Sequence, residues 1–198
     1  WKDMKTKQVI AGNTGPGSTS FLLPRLMQQV LGLKIKQISG YKGSRKTILA
    51  MEQGEHQGTG FNWLAWSSIV PHWFAKGKEF ATPLMQLGHF RDPDLPNVPM
   101  IGDLVAPKYK AMIAFMATHG LVGRGLALPP GVPKKLVKPL RTAFDSMVTS
   151  KAYKAEAKKR GLRVIASTGQ QIQDVVNDGI KNADPKVVAQ AAKIIFGK

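Results

Sequence analysis

The chain has 198 residues, and its 29 Lys and Arg against 12 Asp and Glu give a formal net charge of +17. A hydrophobic content of 43% excludes a disordered or low-complexity polymer, and the length is sufficient for one or two domains. The absence of cysteine excludes zinc fingers, iron–sulfur clusters and thiol nucleophiles. A bilayer-spanning helix is also excluded, because the nearest candidate, residues 111–128, is interrupted by His119 and Arg124.

The basic side chains are spaced as on the solvated faces of helices. The densest runs lie in residues 134–141 and 151–160, at helical spacing. A charge of +17 also permits binding to nucleic acid, to an anionic membrane surface or to small anions. Because no helix-turn-helix pattern or basic–aromatic alternation accompanies it, no nucleic acid partner is expected. A basic nucleic-acid-binding module, which only the net charge favours, is kept as the alternative to the function predicted below.

The first half of the chain alternates predicted strands and helices. Strand patterns cover residues 8–11, 34–39, 56–62 and 80–87, and helix patterns cover 21–31, 45–53 and 63–76, the last interrupted near Pro71. A proline-rich loop, residues 92–99, follows. Strands that alternate with helices of this length predict crossover connections, and therefore an α/β fold with a mainly parallel sheet and flanking helices.

The second half is rich in predicted helices. They cover residues 108–119, 134–149, 151–161, 169–181 and 185–196, with strands expected only at 121–128 and 163–166. Two short strands cannot cover the apolar faces of so many helices. We therefore expect an α/β lobe in residues 1–112 and a helix-rich, partial second lobe in residues 113–198. The uncovered apolar face of this lobe is predicted to pack against another chain or against a further part of a longer protein.

The segment most informative about function is the glycine-rich loop 12–20, between a predicted strand and a predicted helix. Backbone amides and the positive end of a helix dipole meet at such a point, which suits a carboxylate or a phosphate. The glycine spacing, G-x-x-G-x-G, differs from the dinucleotide fingerprint, and no Lys-Ser/Thr pair follows as in a P-loop. A structural turn whose Ser and Thr cap the helix remains the alternative.

Two further segments are expected beside this loop. Residues 41–44 also precede a helix and combine a hydroxyl, a cation and a helix N-terminus, although a turn capped by Ser44 explains them equally well. Asn62 and Trp63 stand at the end of a predicted strand, where α/β sheets bind ligands, although aromatic residues at helical spacing usually belong to the core. The candidate ligand-binding residues are Asn13, Thr14, Gly15, Ser18, Thr19, Tyr41, Gly43, Ser44, Asn62 and Trp63.

No constellation of residues typical of an enzyme is present in the sequence. The 4 histidines are scattered and include no pair at i, i+4, so neither a metal site nor a cofactor is expected. There is no G-x-S-x-G elbow. Glu52 and Glu55 straddle Gly54 at a predicted helix end, which does not suit paired acid–base chemistry. The sequence therefore predicts a protein that is not an enzyme.

Five motifs in order resemble the substrate-binding proteins of tripartite tricarboxylate transporters, the Bug family. They are residues 41–44 (YKGS) with 49–55 (LAMEQGE), 92–99 (DPDLPNVP), 123–124 (GR), 129–133 (PPGVP), and 140–144 with 161–162. The resemblance extends over essentially the whole chain.

The resemblance implies a periplasmic-binding-protein-like fold of two lobes. It implies a periplasmic, non-catalytic protein that closes on a small carboxylate-bearing solute and passes it to the membrane permease subunits of its transporter. Residues 1–112 then correspond to lobe 2, and residues 113–198 to the returning part of lobe 1. Loop 12–20, with residues 41–44 and the strand end at Asn62 beside it, is the contribution of lobe 2 to the interlobe cleft.

The chain departs from the family pattern in two respects. The sheet of the family's first lobe normally precedes the strand that matches residues 8–11, so that lobe is expected to be incomplete here. The acid that usually follows the family's third strand is replaced by Gly60-Phe61-Asn62-Trp63. The identity of the solute therefore does not carry over from the resemblance.

Overall fold

The structure, a computed structural model, describes residues 1–197, without the side chain of Ile180. Two strands are formed, β1 (Val9–Asn13) and β2 (Ile35–Ser39). The α-helices are α1 (Thr19–Leu31), α2 (Ser44–Glu52), α3 (Trp63–Ile69), α4 (Ile101–Leu104), α5 (Pro107–Ala117), α6 (His119–Val122), α7 (Lys134–Thr149), α8 (Lys151–Lys159), α9 (Gly169–Val176) and α10 (Pro185–Phe196). Single turns of 3₁₀ helix cover Lys2–Lys5 and Pro71–Phe74, and a π-helical turn covers Asn177–Lys181.

The two strands form a parallel sheet that a third segment extends. Val9 lies opposite Ile35, and Asn13 lies opposite Ser39. On the other side of β1, Gly58 pairs with Ala11 in the parallel sense, and the Gly12 amide donates to the Gly58 carbonyl at 3.0 Å. Because all three segments run in the same direction, their C-terminal ends meet at one edge of the sheet.

Four of the predicted strands do not form, whereas those predicted at residues 8–11 and 34–39 do. Residues 56–62 make only the pairing at Gly58, and residues 80–87 make only an isolated bridge between Gln86 and Met100. Residues 121–128 and 163–166 form no strand. A segment becomes a strand only where another strand satisfies its backbone polar groups, and these four segments find such a partner at one bridge or not at all.

Local sequence signals account for the boundaries of α1. The Ser18 hydroxyl accepts a hydrogen bond from the Phe21 amide at 3.2 Å, which is an N-cap, and Gly32 ends the helix with φ +67°. Pro24 lies inside the helix. The buried face of α1 carries Leu26 and Val30 at the spacing of one helical turn.

The largest core lies among helices and not on the sheet. It joins the buried face of α1 to α4, α5 and α10 through Leu26, Val30, Ile101, Val105, Met112, Ile113 and Ala191. The last helix of the predicted helix-rich lobe thus packs on the core of residues 1–112. The division of the chain at residue 112 stays a prediction. No helix described within residues 1–197 combines the length and apolar character needed to cross a bilayer.

Helices α7 and α8 are attached by few buried side chains. Among the described residues, α7 buries only Val148 and α8 only Ala157. Leu136 and Leu140, one turn apart on α7, are 51% and 52% exposed. Exposed apolar side chains at this spacing agree with the expectation that part of the lobe lacks a covering layer. Association through this face stays a prediction.

One ion pair ties the second half of the chain to the proline-rich loop. The Arg163 guanidinium donates to both carboxylate oxygens of Asp92, at 2.7 and 3.1 Å, and to Asp94 at 3.4 Å. Mainly through its hydrogen bond, Arg163 lowers the pKa of the Asp92 carboxyl. We expect Arg163→Ala to lower the free energy of unfolding by about 1 kcal/mol, because the pair is bidentate yet partly solvated. Urea denaturation measures it.

The control for this prediction is the exposed pair between Arg160 and Glu156, one turn apart on α8 and its C-cap. Its side chains are 68% and 52% exposed, so we expect Arg160→Ala to cost about 0.3 kcal/mol. Equal costs for the two variants would contradict a tethering role for Arg163.

Candidate functional site

The three predicted ligand-binding segments begin at the C-terminal edge of the sheet. The Asn13 carbonyl, at the end of β1, accepts hydrogen bonds from the amides of Gly40 and Tyr41 at 3.1 and 3.3 Å. The loop after β1 and the loop after β2 are therefore joined directly. The third segment follows Gly58, and Gly60 lies so close to α1 that an added Cβ would stand 2.8 Å from the Leu23 Cβ.

The buried side chain of Asn13 organises the first two loops. It is 0% exposed, its Nδ2 donates to Gln37 Oε1 at 3.0 Å, and its Oδ1 accepts from the Gly15 amide at 2.9 Å. The first bond ties β1 to β2, and the second closes the turn into the glycine-rich loop. Gln37 was not singled out from the sequence, because nothing in its local pattern shows that it pairs across strands.

Hydroxyl groups in the first loop bind mainly to the loop itself. Ser20 Oγ accepts from the Thr14 amide at 3.1 Å, and Ser18 Oγ donates to the Gly15 carbonyl at 2.8 Å while capping α1. The capping alternative thus describes Ser18 correctly. At the start of α1 the amides of Thr19 and Ser20 have no intrahelical acceptor, since they occupy the first turn.

The second loop leaves a helix end without a side-chain cap. Gly43 precedes α2 with φ +84°, a left-handed conformation that favours glycine, and no side chain caps the helix. The alternative explanation, a turn capped by Ser44, is wrong, because Ser44 is the first residue of the helix. The first amides of α2 are therefore left without a side-chain acceptor, close in sequence to the exposed side chain of Lys42.

Tyr41 is held beside this corner by Glu55. Its Oη donates to Glu55 Oε2 at 2.9 Å. Desolvation, and then the hydrogen bond to Glu55 and its negative charge, raise the pKa of the Tyr41 phenol. Tyr41 therefore stays protonated near neutral pH and acts as a hydrogen-bond donor.

A buried histidine lies directly beneath the first loop. His56 is 1% exposed, its Nε2 lies 3.0 Å from the Thr47 carbonyl, and its ring meets the Tyr41 ring edge-on at 5.3 Å. The ring occupies the space that a side chain at position 12 would need, since a Cβ on Gly12 would lie 2.3 Å from it. The sequence showed only that the histidines are scattered, and the packing gives this one a structural role.

Burial makes His56 neutral. Desolvation lowers the pKa of its imidazole, against the opposing influence of the Thr47 and Gly58 carbonyls and of the Glu55 charge. The Thr47 contact requires the proton on Nε2, and Nδ1 has no hydrogen-bond partner among the described residues. A second proton on Nδ1 would therefore create a buried charge.

We expect the free energy of unfolding to fall with pH below about 6.5, where His56 of the unfolded chain takes up a proton that the folded chain refuses. The slope approaches about 1.4 kcal/mol per pH unit at most, and it levels off below the folded pKa. Urea denaturation between about pH 5 and 8 avoids the range in which Asp92 titrates.

The control for this pH dependence is His56→Gln, which should remove the slope. A proton-NMR titration of the unmodified protein gives an independent readout. A His56 ring that titrates at or above about pH 6.5 would contradict the prediction.

Asn62 and Trp63 are placed differently from the other candidates. Asn62 Oδ1 accepts from the Ala65 amide at 2.8 Å and so caps α3. Trp63 Nε1 donates to Asp94 Oδ2 at 2.9 Å, and its ring packs edge-on against Phe74 at 4.9 Å. Trp63 thus lines a groove of about 360 Å³ with the proline-rich loop, residues 94–98.

Among residues 1–197, no group of three His, Asp or Glu side chains is arranged to hold a metal ion. The chemistry available at the strand ends is therefore that of backbone amides, hydroxyls and helix dipoles.

Parallel strands whose C-terminal ends meet helix N-termini are typical of α/β ligand-binding folds. The chain belongs to the tripartite tricarboxylate transporter family receptors (TctC), whose family profile matches residues 3–191. The predicted family and fold class are thereby confirmed. No curated protein matches the chain.

Two solved structures share the fold. The R. palustris protein Rpa4515, solved with adipate, superposes with a TM-score of 0.61 at 21% identity, covering 95% of this chain and 56% of that protein. A TctC solute-binding protein from Polaromonas, solved without ligand, superposes with a TM-score of 0.58 at 17% identity, covering 96% of this chain and 59% of that protein. The chain spans less than two thirds of the length of these relatives.

Proposed function

We propose that the chain is part of a periplasmic solute-binding protein. This protein captures a small carboxylate-bearing solute in an interlobe cleft and delivers it to the membrane permease subunits of a tripartite transporter. The observation that carries the proposal is the convergence of two loops on the Asn13 carbonyl, where each loop leads into a helix N-terminus. A carboxylate is the ligand class that such a corner favours.

The donors for the carboxylate come from backbone more than from side chains. The first amides of α1 and α2 point along the helix axes toward the strand ends. The Tyr41 hydroxyl donates its proton to Glu55 and so helps to hold the second loop in place. The hydroxyls of Thr14 and Ser18 hold the loop in shape. Residues 113–198, as the returning part of lobe 1, supply part of the opposite wall of the cleft, and closure of the lobes adds contacts to the far end of the solute.

The family membership supports this proposal, since the family is one of receptors and not of enzymes. Rpa4515 was solved with adipate, a dicarboxylate, which makes this ligand class the first to test. The proposal assigns no catalytic residue and needs no cofactor.

The test is a thermal-shift series with adipate, citrate and 1,6-diaminohexane. The diamine has a similar chain length to adipate but carries cations, so it controls for non-specific effects of an alkyl chain. A carboxylate at 100 times its Kd should stabilise the protein by about 2.7 kcal/mol. Absence of a shift with every carboxylate, or an equal shift with the diamine, would contradict the proposal.

A further inference from the structure

The outer edge of β2 offers unpaired backbone groups. The Lys34 carbonyl accepts from the Val9 amide, and the Gly40 amide donates to the Asn13 carbonyl. Backbone groups alternate in direction along a strand. The amides and carbonyls of Lys36 and Ile38 therefore also point toward β1. Gln37 and Ser39 therefore direct their amides and carbonyls away from β1, and within the described residues β2 pairs with no other strand.

A mainly apolar groove, with Arg25 and Gln28 on the α1 side, runs beside this open edge. Its volume is about 440 Å³, and it lies between α1, β2 and the end of α10. The lining side chains are Pro16, Phe21, Arg25, Gln28, Ile35, Gln37, Ile195 and Phe196. Ile35 and Gln37 are two positions apart on β2, so they share the face that looks into the groove. Phe196 is 54% exposed there, which leaves apolar surface for a ligand to cover.

The opposite face of β2 is basic. Lys34 and Lys36 alternate with the groove-facing residues, and both are exposed. Among the described residues neither lysine forms an ion pair. A strand added at this edge would therefore meet an apolar groove on one face and positive charge on the other.

We propose that this edge binds an extended acidic segment of a partner protein, which adds to the sheet as a strand beside β2. Alternate side chains of the segment are apolar and enter the groove, while those between them are Asp or Glu and lie opposite Lys34 and Lys36. The amides and carbonyls of Gln37 and Ser39 supply the main-chain hydrogen bonds.

Charge argues against a second copy of this chain as the occupant. Pairing of two β2 edges would bring the lysines of both copies together in a protein of net charge +17. An acidic strand instead gains a cross-strand attraction at each lysine.

The experiment uses a peptide with blocked ends and the sequence Val-Glu-Val-Glu-Val-Glu-Val, and a matched peptide in which lysine replaces each glutamate. Hydrogen exchange followed by NMR should show that the acidic peptide protects the amides of Gln37 and Ser39. The lysine peptide should protect neither. Hexanoate, which fits the groove without main-chain pairing, serves as the small-molecule comparison.

A charge swap makes the test specific. Lys36→Glu should weaken binding of the acidic peptide about five-fold and allow the lysine peptide to bind, because Lys36 lies on the exposed face of β2. Lys154→Glu, on α8, alters the net charge equally and should leave both affinities unchanged.

Three results would overturn the proposal. They are unprotected Gln37 and Ser39 amides at saturating acidic peptide, protection of the same amides by hexanoate alone, and equal effects of Lys36→Glu and Lys154→Glu. Equal effects of the two substitutions would show that the peptide is bound by general electrostatic attraction.

Discussion

Replacement of Gly12 by alanine is expected to lower the free energy of unfolding by about 3 kcal/mol, at the upper end of the range for overpacking. The new Cβ would lie 2.3 Å from Cδ2 and Nε2 of His56, and this ring is 1% exposed and held at the Thr47 carbonyl of α2. Because β1 carries the loop that leads to α1, the backbone shift that relieves the clash also displaces the proposed site. Urea denaturation measures the loss.

Gly58→Ala is the matched control. Gly58 lies on the strand segment beside Gly12, and its added Cβ would meet no atom within 4 Å. We expect it to change stability by less than about 0.5 kcal/mol. The double variant Gly12→Ala with His56→Ala should be more stable than the sum of the two single losses predicts, because removal of the ring relieves the clash. Strict additivity would show that the two positions do not collide.

Asn13→Ala is expected to lower stability by about 3 kcal/mol and to weaken carboxylate binding about ten-fold. The substitution leaves the Gly15 amide and Gln37 Oε1 without their partner at a buried position. It also releases the turn that aligns the first loop, and a loop that must be ordered on binding costs affinity. Calorimetric titration with the best carboxylate from the thermal-shift series, with urea denaturation alongside, measures both effects.

Two further substitutions serve as comparisons. Asn13→Asp keeps the acceptor for the Gly15 amide but places a negative charge at a fully buried position, so it should abolish carboxylate binding and cost more stability than alanine. Asn97→Ala, at an exposed asparagine of the proline-rich loop, should change neither quantity. Carboxylate binding by Asn13→Asp at the unmodified affinity would place the anion elsewhere.

Local patterns were sufficient for most of the helices. The apolar spacing of residues 21–31 predicted most of α1, and the helix pattern over residues 134–149 predicted α7. Capping residues and helical spacing act within a few positions along the chain, so they can be recognised without knowing what the helix packs against. The same holds for the glycine-rich loop, whose position between β1 and α1 follows from its neighbours in sequence.

The missing strands show where local patterns fail. Residues 80–87 have the composition of a strand, but a strand also requires a partner, and the partner is chosen by the whole fold. In this structure Gln86 instead directs its side-chain amide to the carbonyls of Leu95 and Val98 in the proline-rich loop.

By itself, the sequence determined that this protein is α/β and that its motifs are those of the tripartite tricarboxylate receptors. It also predicted that the candidate binding corner follows β1. Only the tertiary structure decided that Asn13 and Gln37 join the two loops, that His56 fills the space over Gly12, and that Trp63 belongs to another groove. Each of these contacts joins residues more than twenty positions apart. Such contacts depend on which strands pair and how closely they pack, because burial and hydrogen-bond geometry exist only once the chain has folded.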